Sequence, residues 1–209
     1  MARQAFESLR QAVNSWVSEA SFSPCGHYRW WLKRRLGESS RTLLFVGLNP
    51  SKASALDDDP TLRRILGFCR SWGYGRLLVV NLFARISQSP SVLKHCVDPI
   101  GEQNDVQLSK RAGHWAECSQ WDLWLGWGVG GAWLQRHLAV MALLEPYRQH
   151  RLRNIPEALG PLALGCTREG HPRHPLYIPG KEVLRPFMWA SRSTIRHPEA
   201  MDVGSTVHR

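Results

Sequence analysis

Residues 41–51 read RTLLFVGLNPS. An apolar run, Thr42 to Leu48, stops abruptly at Gly47-Leu48-Asn49-Pro50-Ser51, so a polar amide sits just past the carboxyl end of a buried strand. In open α/β folds that is where ligands bind. A second apolar run stops in the same manner within residues 162–179, LALGCTREGHPRHPLYIP, and delivers two histidines among prolines.

Working outward, Asp57-Asp58-Asp59-Pro60 has the acid-then-proline signature of a helix start. Leu62, Ile65, Leu66, Cys69 and Trp72 continue at helical spacing to a stop at Gly73-Tyr74-Gly75. Leu77 to Phe83 is continuously apolar, which predicts a parallel strand buried on both faces. Residues 101–118 and 132–144 read as helices, and residues 123–126 and 161–166 as third and fourth strands. This alternation predicts an α/β fold: a three-layer α/β/α sandwich on a mainly parallel four-stranded central sheet. Phe6, Leu9, Val13, Trp16 and Val17 predict an amphipathic helix over residues 1–20, the core of a helical arm spanning 1–24. Residues 25–36 mix aromatics with cationic side chains and predict a strand or short helix with a basic face, and residues 195–209 have little apolar content.

A chain of 209 residues with 43% hydrophobic residues suffices for one domain with a full core. The formal net charge of +10 points to a polyanionic partner, most simply nucleic acid. No stretch is long enough to span a bilayer and the start lacks a signal-peptide pattern, so a cytoplasmic protein without a membrane partner is expected. Five cysteines, odd in number and without a C-x-x-C pair, argue against a disulfide framework, a zinc knuckle and a four-cysteine cluster. No metal or cofactor is expected. Ten tryptophans mostly lie inside apolar patterns and belong to the core, with one or two left to stack on a base.

Taken singly, the polar motifs have ordinary readings. Asn49-Pro50-Ser51 favours a turn in any setting. Asn81 ends an apolar strand, a costly place for an amide without partners, and either pins the next loop or reads a ligand. Asp59 is best placed as a helix cap, whereas Asp57 or Asp58 remains a candidate second polar group in a pocket, as do Asn104 and Asp105 more weakly.

In combination they resemble the two active-site motifs of the uracil-DNA glycosylase superfamily. Gly47-Leu48-Asn49-Pro50-Ser51 is similar to the Gly-Ile-Asn-Pro-Gly form of the mismatch-specific thymine/uracil branch, and His171-Pro172-Arg173-His174-Pro175-Leu176-Tyr177 resembles the second, His-Pro motif with one residue more. The wider pattern resembles a family of bacterial and phage-associated proteins with Cys-Gly-x-Tyr-Arg, Leu-Asn-Pro-Ser, Asp-Asp-Pro-Thr, Trp-Gly-Tyr-Gly, Val-Asn-Leu-Phe and Gly-His-Pro-Arg-His-Pro-Leu-Tyr elements, present here from Cys25 to Pro179.

That resemblance implies a monomeric, monofunctional DNA glycosylase acting on a flipped, modified pyrimidine, with a role in antiviral defence or in uracil/thymine mismatch repair. Asn49 would hold the attacking water and His171 or His174 would support the departing base; His171 is favoured because it lies closer to the strand end. Asp58 stands as an auxiliary catalytic group. Asn81 and Ser51 would face the base, with Phe68 or Tyr74 stacking on it. Leu176 and Tyr177 would form the wedge entering DNA, with Arg63, Arg85, Arg151 and Arg173 on the phosphates. The alternatives are a non-enzymatic reader of modified bases and an N-glycosidase acting on free nucleosides or nucleotides.

Overall fold

A computed structural model describes residues 18–51 and 58–188. Most of the expected N-terminal helix, Asp57 and the 195–209 tail lie outside the described residues. Residues 42–47 form the central strand of a seven-stranded sheet. In chain order its strands are β1 (Glu19–Phe22), β2 (Arg29–Arg35), β3 (Thr42–Gly47), β4 (Arg76–Asn81), β5 (Trp121–Leu125), β6 (Leu162–Ala163) and β7 (Arg185–Pro186). They are arranged β1-β2-β4-β3-β5-β6-β7. The contiguous strands β4, β3, β5 and β6 run parallel. Antiparallel β2 and β1 extend one edge, and antiparallel β7 extends the other.

The fold is therefore mixed α/β, and the four-stranded expectation is corrected to seven strands. Two physical reasons account for the difference. In β2, RWWLKRR, only Trp30, Trp31 and Leu32 are apolar and four cationic side chains flank them, so no apolar run marks the strand's full length. Residues 19–22, expected at the end of a helix, instead pair with β2 as β1. The fourth strand shrinks to two residues, bounded by Pro161, which cannot donate to a ladder, and Gly165 at φ +86°.

Side-chain alternation along the parallel strands divides the core in two. Leu43, Phe45, Leu77 and Val79 face helix α1 (Pro60–Ser71), which contributes Leu62, Ile65, Leu66, Phe68 and Cys69. Leu44, Val46, Leu78 and Val80 face the other way, onto Leu108, Ala112 and Trp115 of α3 (Asn104–Glu117) and Val140 and Leu144 of α4 (Arg136–Asn154). A single turn of helix, α2 (Pro90–Lys94), lies between β4 and α3.

Helix α1 begins where its sequence says it should: Asp59 Oδ1 accepts from the Leu62 amide at 2.7 Å, Pro60 follows, and Gly73 turns the chain at φ +75°. Helix α4 is preceded by 3-10 turns over Val129–Gln135 and runs through Pro146 to Asn154, ten residues past the expected end. Burial of Val140, Leu144 and Arg151 outweighs the cost of the internal proline. Among the described residues, no helix is long and apolar enough to cross a membrane.

Candidate active site

The carboxyl ends of β3 and β4 open into a cleft of about 820 Å³. It is closed on one side by the start of α1 and on the other by the 3-10 segment after β5 and the turn Pro175–Tyr177. Asn49, Ser51, Asn81, His174, Leu176 and Tyr177 all line it. These six are expected site residues, brought together from three separate parts of the chain.

Asn49 is held by its own side chain. Its Nδ2 donates to the Pro50 carbonyl at 3.0 Å and to the Ser87 carbonyl at 3.1 Å. Carbonyls only accept, so the amide orientation is determined and Oδ1 is left as an acceptor. The Ser87 amide in turn donates to the Pro50 carbonyl at 2.9 Å, stitching the loops after β3 and β4 together.

Asn81 is 4% exposed, and its Nδ2 has no hydrogen-bond partner among the described residues. A buried amide in that condition costs roughly 1–3 kcal/mol, which a ligand offering a carbonyl or ring nitrogen would recover. Its position is fixed from behind. Asn104 Nδ2 donates to the carbonyls of Asn81 at 3.2 Å and Leu82 at 2.9 Å, and Arg136 Nε donates to the Leu82 carbonyl at 2.8 Å. Asn104 thus does the loop-pinning that one reading gave to Asn81. Asp105 pairs with Arg136 and so belongs to the same support.

The floor is built by two glycines that admit an aromatic ring. A Cβ at Gly126 would meet Phe45 Cε2 at 2.5 Å, and one at Gly47 would meet Phe45 Cε1 at 3.0 Å and Asn81 Oδ1 at 2.8 Å. Only glycine lets the Phe45 ring and the Asn81 amide lie over these strand ends.

The register of the histidine loop is decided by its folding. Cys166 and Pro172 form an antiparallel bridge, the Thr167 amide donates to the His171 carbonyl at 2.8 Å, and Gly170 turns at φ +81°. This hairpin carries His171 away from the cleft and against His137, with ring centroids 4.9 Å apart. His174 emerges after the hairpin and lines the cleft instead. The Leu176 amide approaches His174 Nδ1 at 3.4 Å, which leaves the proton on Nε2. Burial lowers the His174 pKa below 6.5, against an opposing pull from Asp59, so the ring is neutral at pH 7.

Other expected site residues lie elsewhere. Phe68, 2% exposed, packs between Trp72 and Trp124 in the core. Tyr74 is at the amino-terminal end of β4, opposite the cleft, where its hydroxyl donates to Asp122 at 2.6 Å. Asp58 accepts from Arg34 Nε and Nη2 at 2.9 and 2.8 Å and does not line the cleft. Arg151, expected on DNA phosphate, is fully buried and donates to the carbonyls of Leu159, Trp115, Cys118 and Trp121. Its charge holds α3, α4 and β5 together and faces no solvent. Arg63 and Arg173 are exposed outside the cleft. Arg85 is half-buried over the Tyr28 ring at 5.5 Å.

Several lining residues were not singled out from sequence. Arg29 is 5% exposed yet lines the cleft, and burial lowers its pKa to about 10. The register between β1 and β2 shifts at Phe22, whose partner is Arg29 while its neighbour Ser21 pairs with Trp31. Such a bulge re-aims side chains, and no residue pattern announces it. Lys94, Phe45, Trp127 and Trp133 also line the cleft, as does Asp59, which the sequence placed as a helix cap. Phe45 was legible in principle, because it precedes Gly47 by two and shares its face of the strand. Among the described residues, no group of three or more His, Cys, Asp or Glu is placed to hold a metal ion.

Chemically, the cleft presents one oriented acceptor, one unpartnered buried donor, a neutral imidazole, a desolvated guanidinium and aromatic walls. No curated protein and no solved structure matches the chain. The family model described as "Protein of unknown function (DUF1643)" matches residues 29–176, and the chain belongs to that family.

Proposed function

We propose that the protein is a monofunctional DNA glycosylase that flips a pyrimidine out of DNA and hydrolyses its N-glycosidic bond, leaving an abasic site. The observation that carries this reading is the buried, unpartnered Asn81 amide beside the fixed Asn49 amide in one cleft. Four contiguous parallel strands with both amides at their carboxyl ends support kinship with the uracil-DNA glycosylase fold.

The transition state puts positive charge on the sugar and negative charge on the departing base. Asn49 Oδ1 accepts from a water and aims its lone pair at C1′. As water adds, the C1′–N bond breaks and its electron pair leaves with the base. His174 donates from Nε2 to a base carbonyl; being neutral, it lends a hydrogen bond without adding charge near the oxocarbenium ion. Asn81 Nδ2 donates to the base edge, and Leu176 and Tyr177, 40% and 77% exposed at the rim, fill the gap left in the duplex.

Ser51 occupies the place where the resemblance puts a bulky tyrosine in uracil-specific forms, so the pocket admits pyrimidines enlarged at the 5-position, including modified cytosines of phage DNA. Excision there serves antiviral defence; excision of uracil or mismatched thymine serves repair. Incubation with modified phage genomes and with uracil-containing DNA, followed by mass spectrometry of the released base and alkali treatment of the DNA, tests this. Release of no base from either substrate refutes it.

A further inference from the structure

An amide orients a water but takes no proton from it, so the reaction proposed above leaves one proton without a destination. Asp59 supplies the one carboxylate among the described residues lining the cleft. Its two oxygens are used differently. Oδ1 caps α1 at the Leu62 amide, 2.7 Å away, which locks the side chain. Oδ2 has no hydrogen-bond partner among the described residues, although the side chain is only half-buried and borders the same space as Asn49.

We propose that Asp59 is the general base of this site, a carboxylate fixed by its helix cap that takes the proton of the attacking water. In that step the water oxygen bonds to C1′, one O–H bond breaks with its proton passing to Oδ2, and the C1′–N pair leaves with the base. The proton then returns to the base or to solvent, so nothing further is consumed. This inference rests on the glycosidic reading.

The charged and titratable groups around Asp59 are consistent with that task. Arg29 reaches the cleft from β2, His174 and Tyr177 from the turn after β6, and Lys94 from α2. Behind it, Asp58 is occupied by Arg34, and Arg63 donates to the Asp58 carbonyl. Asp59 acts electrostatically on both Arg29 and His174, raising the pKa of each. The cap and the base are one side chain, which is why the capping pattern in the sequence conceals the second role.

The test exploits that coincidence. Asparagine caps a helix as well as aspartate does, so Asp59→Asn keeps the fold while removing the base. The expected results are an unchanged melting temperature, a kcat for base release lower by on the order of 10²–10⁴-fold with little change in KM, and a His174 pKa, followed by NMR, below its wild-type value. An active wild type with an equally active Asp59→Asn variant overturns the proton transfer and leaves the glycosidic reading standing. An unchanged His174 titration overturns the placement of the carboxylate whatever the activity. A wild-type protein that releases no base overturns both readings together.

Discussion

Replacing Arg151 with methionine tests whether this cation holds the fold or contacts DNA. Its guanidinium serves four backbone carbonyls, those of Trp115, Cys118, Trp121 and Leu159. At about 1.5–3 kcal/mol for each hydrogen bond to a charged group, the gross loss is about 6–12 kcal/mol. Removing the several kcal/mol of desolvation that a buried guanidinium costs, and adding the packing of a flexible apolar side chain, brings the net to about 3–5 kcal/mol. In a chain of this size each kcal/mol moves the midpoint by about 2–4 °C, so Tm should fall by about 6–20 °C. Thermal unfolding followed by circular dichroism measures this, and DNA affinity of the still-folded variant at low temperature measures the alternative. A Tm within about 2 °C of wild type, together with weakened DNA binding, would refute the structural role.

The remaining expectations concern the cleft and its surroundings. His174→Ala should abolish base release while His171→Ala leaves most of it, since only His174 lines the cleft; equal losses in a release assay would reverse the assignment. Gly47→Ala should cost activity more than stability, because its Cβ would lie 2.8 Å from Asn81 Oδ1 and displace the amide; an active variant would show that Asn81 is not at the base edge. Lys94→Ala should lower DNA affinity and reduce the slope of log affinity against log salt by about 1, with no change in base preference. Burial holds the His137 and His174 pKa values below 6.5 in the folded chain, so the unfolded chain binds protons more readily. Stability should therefore be level above about pH 6.5 and fall as pH drops through and below it, with a shallower fall in His174→Gln by urea titration across pH. Burial pushes the Cys69 thiol up to about 12 while the Ser23 hydroxyl lowers that of exposed Cys25, so a maleimide should label Cys25 rapidly and Cys69 only on unfolding.

The parallel strands were legible because burial on both faces demands unbroken apolar runs, and α1 was legible because acid, proline and glycine punctuate it. The antiparallel edges were not, beyond the reading of residues 25–36 as a strand or short helix. In β2 the charges are engaged individually, Lys33 by Glu19, Arg34 by Asp58 and Arg35 by Glu38, and a pattern of charges carries no signature of such partners. The places of Asn49 and Asn81 at the cleft were legible because each amide stands at the end of an apolar strand. Which histidine reaches the cleft was not legible, because distance along the chain from β6 favours His171, whereas the Thr167–His171 hairpin reverses direction and spends those residues before the cleft is reached. Arg151 was misplaced because runs of arginine look alike whether they face solvent or backbone carbonyls.

The two carbonyls that hold Asn49 have a consequence for the history of the site. Pro50 and Ser87 present oxygen, and oxygen only, to the far end of that side chain. A carboxylate at position 49 would set a negative oxygen against both of them, with no proton to share. The one-base change from asparagine to aspartate, nominally an improvement in water activation, is closed to this scaffold unless the loops after β3 and β4 move first. In this scaffold, exchanging the amide at position 49 for a carboxylate is first a change of backbone.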